Sequence, residues 1–251
     1  MEKQILAKFL LHVGDTQLIL AQRLAEWCGH APELEIDIAL ANIGLDILGQ
    51  GRNFLTLAGE YEGLGRDEDQ LAFFRNEREF LNLLLVEQPN QDFGSTIFRQ
   101  WLMDHYHCLL FTALTQSSDA KVAALAVKSL KEVKYHLRFS TTWMERLSLS
   151  TDEAHRYVQN AVDELWRFTA EMFELDAQEQ SLVSQGILPK LDEQKAMWET
   201  TVLAELERLT LTVPKLGAYR RGAKQGIHTE HLGYILAELQ YMQRTYPNMT
   251  W

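Results

Sequence analysis

Asp104 and His107 stand three residues apart, the spacing that places an acid and an imidazole on one face of a helix. Other acids recur at intervals of about one helix plus a loop: Asp46, Glu79 and Glu132. Tyr135 and His136 follow Glu132 at i+3 and i+4. Carboxylates on four helices, with an acid-x-x-His on two of them, are how a four-helix bundle holds two irons for oxygen chemistry. The ligand set here falls short. Two of the four acids are Asp, one methylene shorter than Glu. Asn82 stands three residues after Glu79, and Tyr135 three after Glu132, where histidines are wanted. The six positions therefore read as vestiges of a metal site, with no metal and no catalytic residue in this chain. Its acids would be neutralised by hydrogen bonds or by Lys131, Lys134 or Arg78. A di-iron oxygenase active in its own right stays open as the alternative.

Three further groups invite chemistry. His228-Thr-Glu-His231 has metal-like spacing, but it follows a glycine turn, and Thr229 suits a helix N-cap with Glu230 in the first turn. Arg220, Arg221 and Lys224 make a basic loop that could meet coenzyme A phosphates, an acidic partner or only solvent. Cys28, beside Trp27 and His30, lacks a third orienting group and reads as structural.

These residues need helices to hold them. Among 251 residues there are 5 Pro and 14 Gly, and hairpin turns between alternating apolar runs are missing. A 3.6-residue apolar period predicts helices at roughly 4–28, 32–61, 69–87, 95–117, 120–147, 151–174, 193–210 and 229–245. Ser95, and Ser150 with Glu153, are the expected caps of two of them. The fold class expected is all-α, a ferritin-like bundle with additional C-terminal helices, as one domain over 1–251. The helix at 32–61 is apolar on two sides: Ile36, Leu40, Ile43, Ile47 and Phe54 on one, Ile38, Ala41, Leu45 and Leu48 on the other. The helix at 120–147 reads the same way, with Ala123, Val127, Leu130, Val133 and Leu137 as one face and Leu125, Phe139 and Trp143 as another. Trp143, Trp166 and Phe168 read as core or interface anchors. Two-sided apolar helices give the chain a motive to associate.

Composition excludes other classes. Hydrophobic residues are 46% and the net charge is -11, which argues against disorder and against nucleic-acid or anionic-membrane binding. No apolar run is long enough to span a bilayer, and the first fifteen residues do not read as a signal peptide. Two cysteines far apart fit a reduced, cytoplasmic protein.

Longer strings carry a resemblance. EWCGHAPELEIDIALANIGLDILGQGRNF (26–54), LAFFRNEREFLNLLLVEQPN (71–90), KEVKYHLRFS (131–140), LWRFTAEMF (165–173) and GIHTEHLGYILAELQYMQR (226–244) are similar to the PaaC family. These are structural, non-catalytic subunits of bacterial phenylacetyl-CoA epoxidase complexes. The resemblance implies a ferritin-like fold and a role in phenylacetate catabolism. It implies a homologous catalytic partner, PaaA, which carries the di-iron site, with PaaB and the reductase PaaE completing the complex. It also points to contact with the acyl-CoA at Glu79, Phe80, Leu81 and Asn82, and at Gln180, Ser181 and Leu182.

Overall fold

The computed structural model describes residues 2–247 and 249. In chain order its helices are α1 (Glu2–Ala25), α2 (Leu34–Glu62), α3 (Glu68–Phe73), α4 (Leu84–Glu87), α5 (Phe93–Leu114), α6 (Ala120–Leu149), α7 (Asp152–Leu165), α8 (Glu179–Ser184), α9 (Leu191–Arg208) and α10 (Glu230–Thr245). Short 3-10 turns lie at Glu77–Glu79, Trp166–Phe168 and Ala223–Gln225. No strand occurs among the described residues, so the class is all-α, consistent with a ferritin-like bundle. No described helix is long and apolar enough to cross a membrane.

The chain divides into two compact units, one within Met1–Pro89 and Arg221–Trp251, the other Asn90–Arg220. In the first, α1 and α2 run antiparallel in close contact: Gly14 faces Leu55, and Gly51 faces Gln17 and Leu18. A Cβ on Gly14 would sit 2.9 Å from the Leu55 side chain, so glycine is required by proximity, not by backbone conformation. α1 is buried nearly all round and carries His12, Asp15, Thr16, Gln17 and Arg23 into the interior. α2 ends on Gly63 in the left-handed conformation.

The helix expected over 69–87 is broken. A capping box of Asp67 and Gln70 starts α3, but the chain turns at Glu77–Glu79 and runs extended until α4. The reason lies in side chains from elsewhere. The amide of Leu81 donates to Asp15 at 2.9 Å, and that of Leu83 to Thr16 Oγ1 at 3.1 Å. His12 Nδ1 lies 2.6 Å from the Leu81 carbonyl, and Arg75 donates to that of Glu79 at 2.9 Å. Main-chain groups satisfied this way have no need of a helical ladder.

In the second unit α5 is central and packs against α6, α7 and α9. Its cap is Asp92, whose carboxylate accepts from Ser95, so Ser95 is not the cap. Thr151, not Ser150, caps α7. α8 lies in a stretch where the sequence predicts no helix, and α7 stops at Leu165 where a longer helix was expected. α6 is turned relative to expectation. Its buried face is Val122, Ala126, Ser129, Val133, His136, Ser140, Met144 and Ser148, while Val127 is exposed and Leu130 and Leu137 are half-buried. Small and polar residues face inward because the α5 surface they meet is itself polar, carrying Gln100, Asp104 and His107.

Candidate functional site

The acid-x-x-His of α5 is buried. Asp104 accepts from Gln100 Nε2 and from Ser140 Oγ of α6, both at 2.7 Å. These donors are neutral. Burial pushes Asp104 up to about 8, against the downward pull of the two hydrogen bonds. His107 is held down at about 3, by burial first and then by the neighbouring His136. Its ring stacks on Phe111, with centroids 5.3 Å apart and planes 9° from parallel. Its Nε2 has no hydrogen-bond partner among the described residues, nor does Gln100 Oε1. Spacing thus brings Asp104 and His107 to one buried face, and α6 adds His136 and Ser140 there.

The other vestigial positions do not join them. Glu132 is half-buried on the flank of α6. Tyr135 is 47% exposed, with the Arg138 guanidinium 5.5 Å from its ring centre. Lys131 and Lys134 are exposed, and so is Arg78. Of the two means expected to satisfy the acids, hydrogen bonds from neutral donors serve Asp104, with a raised proton affinity, and the cations do not. In the first unit Asp46 is half-buried on α2. Glu79 is exposed and off any α-helix, its carboxylate accepting from the Asn76 amide at 2.8 Å. Among the described residues no three His, Cys, Asp or Glu side chains are grouped to hold a metal ion. Asp104 and His107, without further carboxylates grouped about them among the described residues, do not supply the ligand set of a di-iron centre.

The Glu79–Asn82 stretch alternates. Glu79 is open and Leu81 half-buried, whereas Phe80 lies under the Arg75 guanidinium, 4.3 Å from its ring centre, and Asn82 is fully buried. Arg75 is itself buried against Asp15, both oxygens of which it engages. Glu79 borders a groove of about 780 Å³, also lined by Arg66, Phe74 and Tyr246. In the second unit α8 carries Gln180 exposed, Ser181 half-buried and Leu182 buried.

The family described as phenylacetic acid catabolic protein matches residues 1–251. The chain belongs to this family. It is 54% identical over 246 residues, 98% of this chain and 99% of the relative, to a subunit of the 1,2-phenylacetyl-CoA epoxidase of Escherichia coli (strain K12). The resemblance read from the sequence strings is that family's.

Sequence reasoning missed Glu87. It is buried on α4 and accepts from Asn82, Thr229 and the His228 ring. An acid within Leu83-Leu84-Leu85-Val86-Glu87 was a visible signal, since a carboxylate in so apolar a run needs buried donors. Thr229 is the N-cap of α10, as expected, but its hydroxyl serves Glu87 instead of the helix. Cys28, read as a buried structural thiol, is exposed; Cys108 is half-buried, with its thiol pushed up by burial.

Proposed function

We propose that this chain is the structural subunit of a multicomponent phenylacetyl-CoA epoxidase of phenylacetate catabolism, acting in the cytoplasm. Its partner is a homologous catalytic subunit, PaaA, which holds the di-iron centre. PaaB and the reductase PaaE complete the assembly. No cofactor is assigned to this chain. The name of the 54% identical relative supports the reading. So does the ligand set, in which Asp104 and His107 stand, among the described residues, without the further carboxylates a di-iron centre needs, Glu79 and Tyr135 being exposed.

The observation that carries it is the outer row of α2. This helix is ~44 Å long at 1.5 Å per residue. Leu34 is 71%, Ile38 53% and Leu45 66% exposed, with Leu48 along the same row. Ile36, Leu40, Ile43, Ile47 and Phe54 are buried on the inner side. A row of large apolar side chains left open along a long helix is a surface for another helix. The acyl-CoA contacts belong to the accessible parts of the two stretches: Glu79 beside the groove, the half-buried Leu81, and Gln180 on α8. Phe80, Asn82 and Leu182 act from beneath as packing, and Ser181 lies between the two.

Leu45→Asp and Ile43→Asp separate association from folding. The first should leave the helical signal and melting temperature of the chain unchanged while abolishing co-elution with the catalytic subunit. The second buries a charge and should prevent folding. A Leu45→Asp chain that still co-elutes would end this reading. Near-stoichiometric iron in the purified chain, with turnover in the absence of partners, would replace it by an oxygenase.

A further inference from the structure

The subunit role makes no use of His228, although its side chain is completely buried. The ring lies just before α10. Its Nε2 is 2.8 Å from the main-chain oxygen of Phe80, and its Nδ1 is 2.5 Å from Glu87 Oε1. A carbonyl oxygen can only accept, so Nε2 carries a hydrogen. Glu87 also receives Asn82 Nδ2 at 2.9 Å, the Thr229 amide at 2.8 Å and the Thr229 hydroxyl at 2.6 Å. Those three donors and an Nδ1–H fill the lone-pair directions of an ionised carboxylate. The three donors that converge on Glu87 besides the ring favour the ionised carboxylate over a carboxylic acid that donates to Nδ1. The ring therefore has both hydrogens, and the pair is imidazolium and carboxylate.

We propose that His228 is a positioning residue: as an imidazolium bridging Glu87 and the Phe80 carbonyl, it fixes the extended Glu79–Asn82 stretch and sets the surface this stretch offers to the acyl-CoA. The proposal rests on the reading that the stretch meets that ligand. The approach to α10 is built for the bridge. Gly226, at φ +65°, lets the loop lie directly against the Arg78 carbonyl, where a Cβ would collide. Arg23 of α1 donates to the Glu87 main-chain oxygen through Nε at 3.1 Å and through Nη2, which anchors α4 from its other side.

The charged groups around the ring are Glu87 from α4 and Glu77 from the 3-10 turn, with Arg23 from α1 reaching the Glu87 backbone. His12 and Asp15 of α1 face the neighbouring Leu81, and Glu230 and His231 follow on α10 itself. Burial alone would lower the proton affinity of His228. The bonds to Glu87 and Phe80 and the charge of Glu77 outweigh it, and the group is raised above an ordinary imidazole. Its contribution is complete below the unfolded value of ~6.5 and is lost as pH rises through the raised folded value. A neutral ring has one N–H left and cannot donate to both acceptors. The bonds from α1 to Leu81 and Leu83 persist, so the loosening is local.

The test starts with the unmodified full-length chain and needs no variant. Nitrogen-15 NMR of the histidine rings should find both His228 nitrogens protonated near pH ~7. Their deprotonation should come at higher pH than the ~6.5 of an ordinary imidazole. One unprotonated nitrogen there would overturn the bridge. In His228→Gln, the Phe80 amide, which donates to the Glu77 carbonyl at 3.1 Å, should exchange with solvent about tenfold faster at constant pH, the loss of one bond of ordinary net strength, with the middle of α10 unchanged. Unchanged Phe80 protection would also overturn it. In the reconstituted oxygenase complex, His228→Gln should raise KM for the acyl-CoA and leave kcat. If exchange quickens and KM does not move, the bridge stands and the ligand-contact reading falls.

Discussion

Glu87 with His228 and Asp104 with His107 each put a carboxyl group and an imidazole into the interior of one unit, and one pair ends charged where the other ends neutral. Glu87 and His228 come from distant parts of the sequence and meet directly, so each satisfies the charge of the other. Asp104 and His107 are neighbours on one helix, and no hydrogen bond joins them among the described residues. Asp104 meets only neutral donors and takes up a proton, while His107 stays without one. An i, i+3 spacing guarantees a shared face. It does not guarantee contact, and without contact burial decides the charge.

Removing one partner should affect the two pairs very differently. Glu87→Ala leaves the His228 ring, the Asn82 amide and the Thr229 donors facing a gap. It should cost about 3–5 kcal/mol in urea unfolding of the full chain near neutral pH. A loss under about 1 kcal/mol would mean that the pair is not a buried ion pair.

Asp104→Asn should have the reverse sign at alkaline pH. An unfolded aspartate titrates near ~4, whereas folded Asp104 does so at about 8. Its contribution is therefore complete at acid pH and lost as pH rises through about 8. The amide cannot ionise, and it keeps an acceptor for Ser140. Unfolding titrations should find the variant close to the parent near pH ~5 and more stable by about 1–3 kcal/mol above pH ~8.5. Equal pH profiles would show that Asp104 is ionised in the fold.

His107→Leu tests the weakest contrast. Folded His107 takes its proton only at about 3, so the unfolded chain binds it first and stability drains as pH falls below ~6.5. The variant loses the stacking on Phe111 at every pH, but its acid slope should be shallower by roughly one proton over that range. Parallel slopes would mean that the ring is charged inside the protein.

Much of this organisation is legible in the residues, and the failures share a cause. The long helices follow from the 3.6-residue period, because on α2 apolar type and burial coincide along the inner row. On α6 they do not: Ser129, His136, Ser140 and Ser148 go inward against a polar α5, which apolar counting reverses. The Glu79 region reads as helix until Asp15, Thr16 and His12 of α1 take over its main-chain groups, a contact more than sixty residues away in sequence. At the site, the Asp104-x-x-His107 spacing gave the shared face. The protonation states depend on Ser140 and His136, which spacing within α5 cannot reveal. Gly14 and Gly51 were available clues to the tight α1–α2 contact, since glycine inside a helix is tolerated mainly where another backbone comes close.

The two thiols differ in a useful way. Cys28 projects into solvent on the turn between α1 and α2, six positions before Leu34 opens the outer apolar row. Cys108 is half-covered, and burial disfavours its thiolate, the form that attacks an electrophile. A maleimide dye will therefore mark Cys28 ahead of Cys108, giving the unaltered protein a fluorescent reporter beside the surface where a second helix would arrive.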